Sequence, residues 1–218
     1  MPKKSIIMVE ATGTASARPD VARVRLSTFA EDPAPEQALT SCSLLTERVL
    51  SALGDADVAP SDLLTTSINL SQQHAKIGEE IVKHYRASAG LLATVRRPAD
   101  AGRIVAAAVQ AAGTGVGIDD VSFDIDDRGP VTSLARHDAV DRAMNAAREL
   151  ADSAGLVLGP LVKLVEGGGL QLRFGPGPLM MRRGRIAQTL SAPPLELGEL
   201  SVAVTVAVVF EVAGIPSS

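Results

Sequence analysis

The sequence predicts an α+β fold, a mostly antiparallel sheet with three helices packed on it. Two observations carry this. Strand-like segments come in adjacent pairs with short turns between them, the pattern of hairpins. Three stretches, 49–71, 105–126 and 147–167, also repeat one plan of apolar helix, glycine-containing break and strand. Repeated units of this size mean several helices laid against shared sheet. Hairpins mixed with helix–strand returns, rather than strict strand–helix–strand alternation, favour an antiparallel sheet over a parallel one.

The elements follow in order. Residues 5–14 and 20–31 are rich in β-branched residues and read as two paired strands joined at Arg18-Pro19-Asp20. Pro19 fixes φ and removes a donor, and Asp20 can bond back to the turn backbone, so this turn is expected to set a hairpin's register. A helix over 35–53, with proline in its first turn, carries the stripe Ala38, Cys42, Leu45, Val49 and Leu53. A strand from about Leu63 returns as 82–96, with Ile77-Gly78-Glu79-Glu80 as the tip. A second helix, 98–113, has Pro98 at its start and Gly113 at its end, the usual asymmetry. Then come a strand at 118–126, a helix at 132–154 and a strand at 159–167. The third helix carries Val140, Met144, Ala147, Leu150 and Ala154 on one face and an Asp138–Arg142 pair on the other. Residues 167–194 read as an irregular insertion rich in Gly, Pro and Arg, and 198–212 as a long closing strand.

At 218 residues the chain suits a single domain over 1–218, or two interleaved halves. A compact fold of this size buries roughly 70% of the unfolded chain's surface. Aromatics make up only 2% and Trp is absent, so the core falls to Val, Leu, Ile and Ala. A net charge of −4 argues against nucleic acid as a partner, because a basic face supplies most of that affinity. One cysteine excludes an internal disulfide or a cysteine-pair zinc knuckle, and its place on a helical stripe makes Cys42 a buried small hydrophobe. No stretch reaches the ~20 apolar residues of a membrane span. The opening MPKKSIIMVEATG lacks a secretory apolar core, so a cytoplasmic location is expected of the chain as written.

Gly13, Pro19, Asp20 and Ala22 of the opening, LLTTSINLS after the first helix, and YRASAGLLATVR, AGRIVAAAVQAAG and IDDVSFDI follow one another in a characteristic order. ARELADSAGLVLGPLVKLVEG and the closing PPLELGELSVAVTVAVVFEV complete it. This succession resembles the SIMPL-domain (YggE-type) family, which includes periplasmic immunogenic proteins of bacteria. The resemblance implies an α+β fold, ring-like homo-oligomers and a stress-related role, with no established catalytic residue and no cofactor. It also implies a periplasmic or other extracytoplasmic location as the alternative to the cytoplasm.

Candidate sites are few. The glycines of GTGVG, 113–117, follow a helix and precede a strand, which is a helix C-cap context rather than a phosphate cradle. Asp119-Asp120 and Asp126-Asp127 flank a strand, where adjacent side chains point to opposite faces and make no acid–base dyad. With the 74–84 hairpin centred on Glu79, His74 and His84 stand opposite each other, either as a solvated tip or as two ligands of a metal or small-ligand site. His137 falls on the charged side of its helix. Leu179, Met180, Met181, Arg182, Arg183 and Arg185 concentrate cations and soft apolar side chains in an acidic chain. That stretch reads as an oligomer contact or a mobile loop, with anion or membrane-surface binding a smaller share. The expected function is that of a non-enzymatic, self-associating protein, with a metal- or ligand-binding module as the alternative.

Overall fold

The computed structural model describes residues 5–77, 80–174 and 198–214. In chain order the elements are β1 (Ile6–Ala17), β2 (Val21–Asp32), α1 (Pro35–Asp55), β3 (Leu63–Ile77) and β4 (Glu80–Val95). They continue as α2 (Ala101–Ala112), β5 (Val116–Asp124), α3 (Gly129–Ser153), β6 (Leu156–Phe174) and β7 (Leu200–Gly214). The fold is α+β with three helices, and its strands form two antiparallel sheets, ordered β1-β7-β6 and β3-β4-β2-β5. Two compact units result: β1, α3, β6 and β7 make one, and β2, α1, β3, β4, α2 and β5 make the other.

The opening is therefore not a hairpin. β1 pairs with β7 from Ile6↔Glu211 to Ala17↔Leu200, whereas β2 lies between β4 and β5. Arg18-Pro19-Asp20 carries the chain from one sheet to the other. Asp20 does not bond back to its own turn: its N–H donates to the Asp124 carbonyl at 3.1 Å, and its Oδ1 accepts from the Asp126 N–H at 2.7 Å. Pro19 has its φ locked at a negative value, so it cannot take the first central position of a type I′ or II′ hairpin turn, where φ is positive.

In the first unit, α3 lies on the sheet through alanine. Val131, Ala135, Ala139, Ala143, Ala147 and Ala151 are its buried residues, so the inward face is not the Val140–Met144–Leu150 stripe; Leu150 is exposed. Small side chains permit a very close approach. A Cβ added at Gly13 of β1 would lie 2.1 Å from the Ala139 nitrogen and 2.3 Å from the Ala135 carbonyl oxygen. Opposite the alanines, Val202, Val204, Val206, Val208 and Phe210 of β7 fill the sheet's inner face. Asp138 of α3 accepts the Thr14 N–H of the edge strand β1 at 2.8 Å and Arg142 at 2.9 Å. β6 begins earlier and runs on further than 159–167, through register shifts that absorb residues near its glycines.

In the second unit, Ala22, Val24 and Leu26 of β2 and Leu91, Ala93 and Val95 of β4 meet Val49 and Leu53 of α1 and Ile104 and Ala108 of α2. The α1 stripe is as expected, with Ala38, Cys42, Val49 and Leu53 buried and Leu45 half-buried. Thr28 is the buried polar residue of this core; it lies 2.6 Å from Thr46 Oγ1, which itself donates to the Cys42 carbonyl at 2.8 Å. Gly113 closes α2 at φ +54°, the C-cap role its context predicts.

Candidate functional surface

Charged groups gather where β4 ends. Arg96 holds Asp62 with two hydrogen bonds, at 2.9 and 2.6 Å, and also bonds Asp126. Arg97 pairs with Asp100 at 2.8 Å, and Arg103 reaches Asp57 and Asp100 at 3.6 and 3.5 Å. All of these but Asp126 line a cavity of about 80 Å³. Each of the three guanidiniums already has a carboxylate, so the cluster clips the Pro60–Asp62 turn, β4 and the end of β5 together rather than offering a cation to a ligand. The hydrogen bonds from Arg96 hold the Asp62 carboxyl below its ordinary value of 3.8. In the other unit, the Thr14 N–H and Arg142 lower Asp138, and Arg136 lowers Glu166. A carboxyl with a depressed folded-state pKa stabilises fully above its unfolded value, and that contribution is lost as pH falls through the folded one. The melting temperature of the protein should therefore hold above about pH 4 and fall below it. Asp62→Asn should melt lower than the parent at pH 7, with the gap closing in acid; a gap independent of pH would contradict the assignment.

The histidines do not converge. Pairing sets His84 against Gln73 and His74 against Lys83, one residue away from the direct opposition expected. A one-residue offset sends the two imidazoles to opposite faces of the ribbon. His84 lies 3.5 Å from Glu31, which also accepts Arg86 at 2.9 Å, and the Arg86 guanidinium stacks 4.1 Å over the Phe29 ring. His74 touches Gln72, and His137 is exposed. Among the described residues no group of three or more metal-ligating side chains comes together.

The acidic pairs also depart from expectation at one point. β5 carries a bulge opposite Arg25 and Leu26, so Asp119 and Asp120 share a face: Asp119 accepts the Ser27 hydroxyl at 3.0 Å and Asp120 lies 3.9 Å from Arg25. Asp126 belongs to the Arg96 cluster, and Asp127 accepts the Gly129 N–H at 2.8 Å at the start of α3. Each has a partner that accounts for it. Leu179, Met180, Met181, Arg182, Arg183 and Arg185 lie outside the described residues.

Among the described residues, what remains is apolar side chains on sheet that no helix covers. In the first unit α3 occupies one face, while Ile6, Met8 and Val165 stand exposed on the other, beside half-buried Val209. In the second unit α1 covers β2 and β4 but stops short of the edge strand β3. This leaves a groove of about 180 Å³ lined by Leu39, Cys42, Thr46, Ile68, Ala87 and Ala89. Ile68 is 73% exposed and Leu70 42%. The sequence signal for this edge was present though easily passed over: residues 63–75 contain no charged side chain and no proline. No helix among the described residues is long and apolar enough to cross a membrane.

Comparison with known proteins agrees along nearly the whole chain. A family model described as SIMPL, a protein of unknown function, matches residues 7–210. The 26 kDa periplasmic immunogenic protein of Brucella melitensis is 31% identical over 217 residues, covering 94% of this chain and 84% of that protein. The protein of the same name from Brucella abortus is 30% identical with the same coverage.

Proposed function

The chain belongs to the SIMPL family, and we propose that it is a self-associating scaffold without catalytic chemistry, located outside the cytoplasm and serving a stress-related role. The observation that carries self-association is the outer face of the β1-β7-β6 sheet, where Ile6, Met8 and Val165 are exposed on strands that already pack α3 on their other side. Exposed apolar side chains grouped on one sheet face mark an interaction site, here with Glu10, Lys163 and Glu211 interspersed among them. Its occupant in this reading is another copy. The scaffold reading is supported by the carboxylates and guanidiniums of the Arg96 cluster, which are matched to each other and leave no activated acid, base or nucleophile there. The extracytoplasmic location is supported by the Brucella relatives, which are named as periplasmic proteins.

Size-exclusion chromatography with light scattering tests the reading. The expected mass at micromolar concentration is a multiple of 22.5 kDa. A strict monomer overturns it. Replacing Met8 by Lys, on the exposed face and away from α3, should shift the distribution toward smaller species with the melting temperature nearly unchanged.

A further inference from the structure

We propose that two copies of this chain pair edge to edge through β3, antiparallel about a two-fold axis at Asn69, so that two four-stranded sheets continue as one of eight. The proposal rests on the self-association reading and adds a second, geometrically specific contact to it.

β3 is the outer strand of β3-β4-β2-β5, so among the described residues its outward N–H and C=O groups have no strand partner. Such an edge is a template for another strand, and proteins usually blunt it with lysine, proline, inward charge or a bulge. Here residues 63–75 carry no charge and no proline, and the one bulge, at Thr66, leaves the run from Ser67 onward regular.

The local sequence then selects the partner. Residues 67–71 read Ser-Ile-Asn-Leu-Ser, the same polar–apolar pattern in both directions from Asn69. A two-fold contact is isologous: residue i meets j, and j meets i. Pairing about Asn69 sets Ile68 against Leu70 of the second copy, Leu70 against its Ile68, each Ser67 against a Ser71, and Asn69 against itself. Ile68 and Leu70 pair with Ala89 and Ala87 of β4, which pack beneath α1, so both apolar pairs fall on the helix side. The serines and Asn69 fall on the other face.

Neighbouring registers are worse. A shift of one residue sets Ile68 against Asn69 or Ser71, and the two-fold registers centred on Ile68 or Leu70 keep only one apolar pair each. The bulge at Thr66 ends the regular run on one side, and symmetry ends the pairing at Gln72 on the other. Beyond it the nearest charges along the chain are Asp62 and Lys76. An antiparallel arrangement brings these unlike signs to the same end, although Asp62 is already held by Arg96.

Disulfide trapping reads the register directly. Cα atoms of directly opposed antiparallel residues lie about 4.5–5.5 Å apart, within the span a disulfide bridges. Cys42, the chain's one native cysteine, is buried. Asn69→Cys should therefore form a disulfide-linked dimer under mild oxidation. Ser71→Cys alone should not, because two copies of residue 71 are offset by four positions, ~13 Å along the strand. Mixing Ser67→Cys with Ser71→Cys should yield the mixed dimer. Ile68→Lys with Leu70→Lys should abolish Asn69→Cys linking while the melting temperature stays close to the parent's. If light scattering shows an oligomer but Asn69→Cys links no faster than Ser71→Cys, the edge contact is overturned and the broader reading stands. If the parent is strictly monomeric, both fall.

Discussion

Gly13→Ala is expected to destabilise the first unit by about 2–3 kcal/mol, the cost of overpacking a well-filled interface, and to lower its melting temperature by roughly 5–10 °C. One methyl group has this effect because of what it would meet. The nearest atoms, at 2.1 and 2.3 Å, are the backbone nitrogen of Ala139 and the backbone oxygen of Ala135. A side chain in that position could rotate aside, but a helix backbone can only retreat as a body. Retreat would separate the alanine stripe from Val202, Val204 and Val206 and stretch the Asp138 bond to the Thr14 N–H. Gly54→Ala in α1 is the matched control: nothing lies within 4 Å of the added methyl. There, alanine's better helix propensity should add about 0.5–1 kcal/mol. Calorimetry or denaturant melts of the two variants should move in opposite directions. Equal small changes would mean that α3 does not sit so close to β1.

Leu26→Ala is expected to cost about 3–4 kcal/mol, within the range for deleting most of a fully buried leucine. Leu26 has no exposed surface and sits on β2, which is paired on both sides, beneath the helix pair of its unit. With aromatics at 2% of the chain, few large neighbours are available to collapse into the void. Thr28→Val, two residues along on the same face, should cost less. It keeps the volume and loses the short hydroxyl bond to Thr46, an interaction worth about 1 kcal/mol, with the longer contacts to the Cys42 sulfur and the Ala89 carbonyl. A Leu26→Ala loss no larger than that of Thr28→Val would show that the core relaxes where the packing says it cannot.

The contrast between α1 and α3 shows what the sequence made legible. In α1 the buried face is marked by residues of different sizes at helical spacing, and reading that stripe gave the right face. In α3 the buried face is alanine at every fourth position from 135 to 151, while larger apolar residues such as Leu134 and Leu150 stand exposed. Weighting by hydrophobicity points to the wrong side there; the regular alanine spacing together with a glycine in a strand was the usable signal. Strand existence was readable, and so was the partnership of β3 with β4, but the partner of β1 was not. Adjacent strands usually pair, but β1 takes the last strand of the chain as its neighbour, a choice no local pattern records. For the histidines, an error of one residue in the pairing register exchanged faces, because side chains alternate with a period of two. The uncharged edge of β3 was visible as composition, yet its meaning depended on knowing that β3 lies outermost.

The pairing of β1 with β7 also imposes an order of events on synthesis. β1 leaves the ribosome before the other elements of the fold and its partner β7 after them, with residues 18–199 in the loop between the paired strands. Until β7 emerges, β1 and β6 have no common neighbour, because β7 stands between them. The elements from β2 to β5 form a contiguous stretch with its own core and can close first. Their collapse shortens the effective loop that the β1–β7 pairing must close, and closure entropy falls with loop length, by about 0.6 kcal/mol for each halving. A nascent chain halted before residue 200 should thus resist protease between residues 19 and 126 while β1 is still cut.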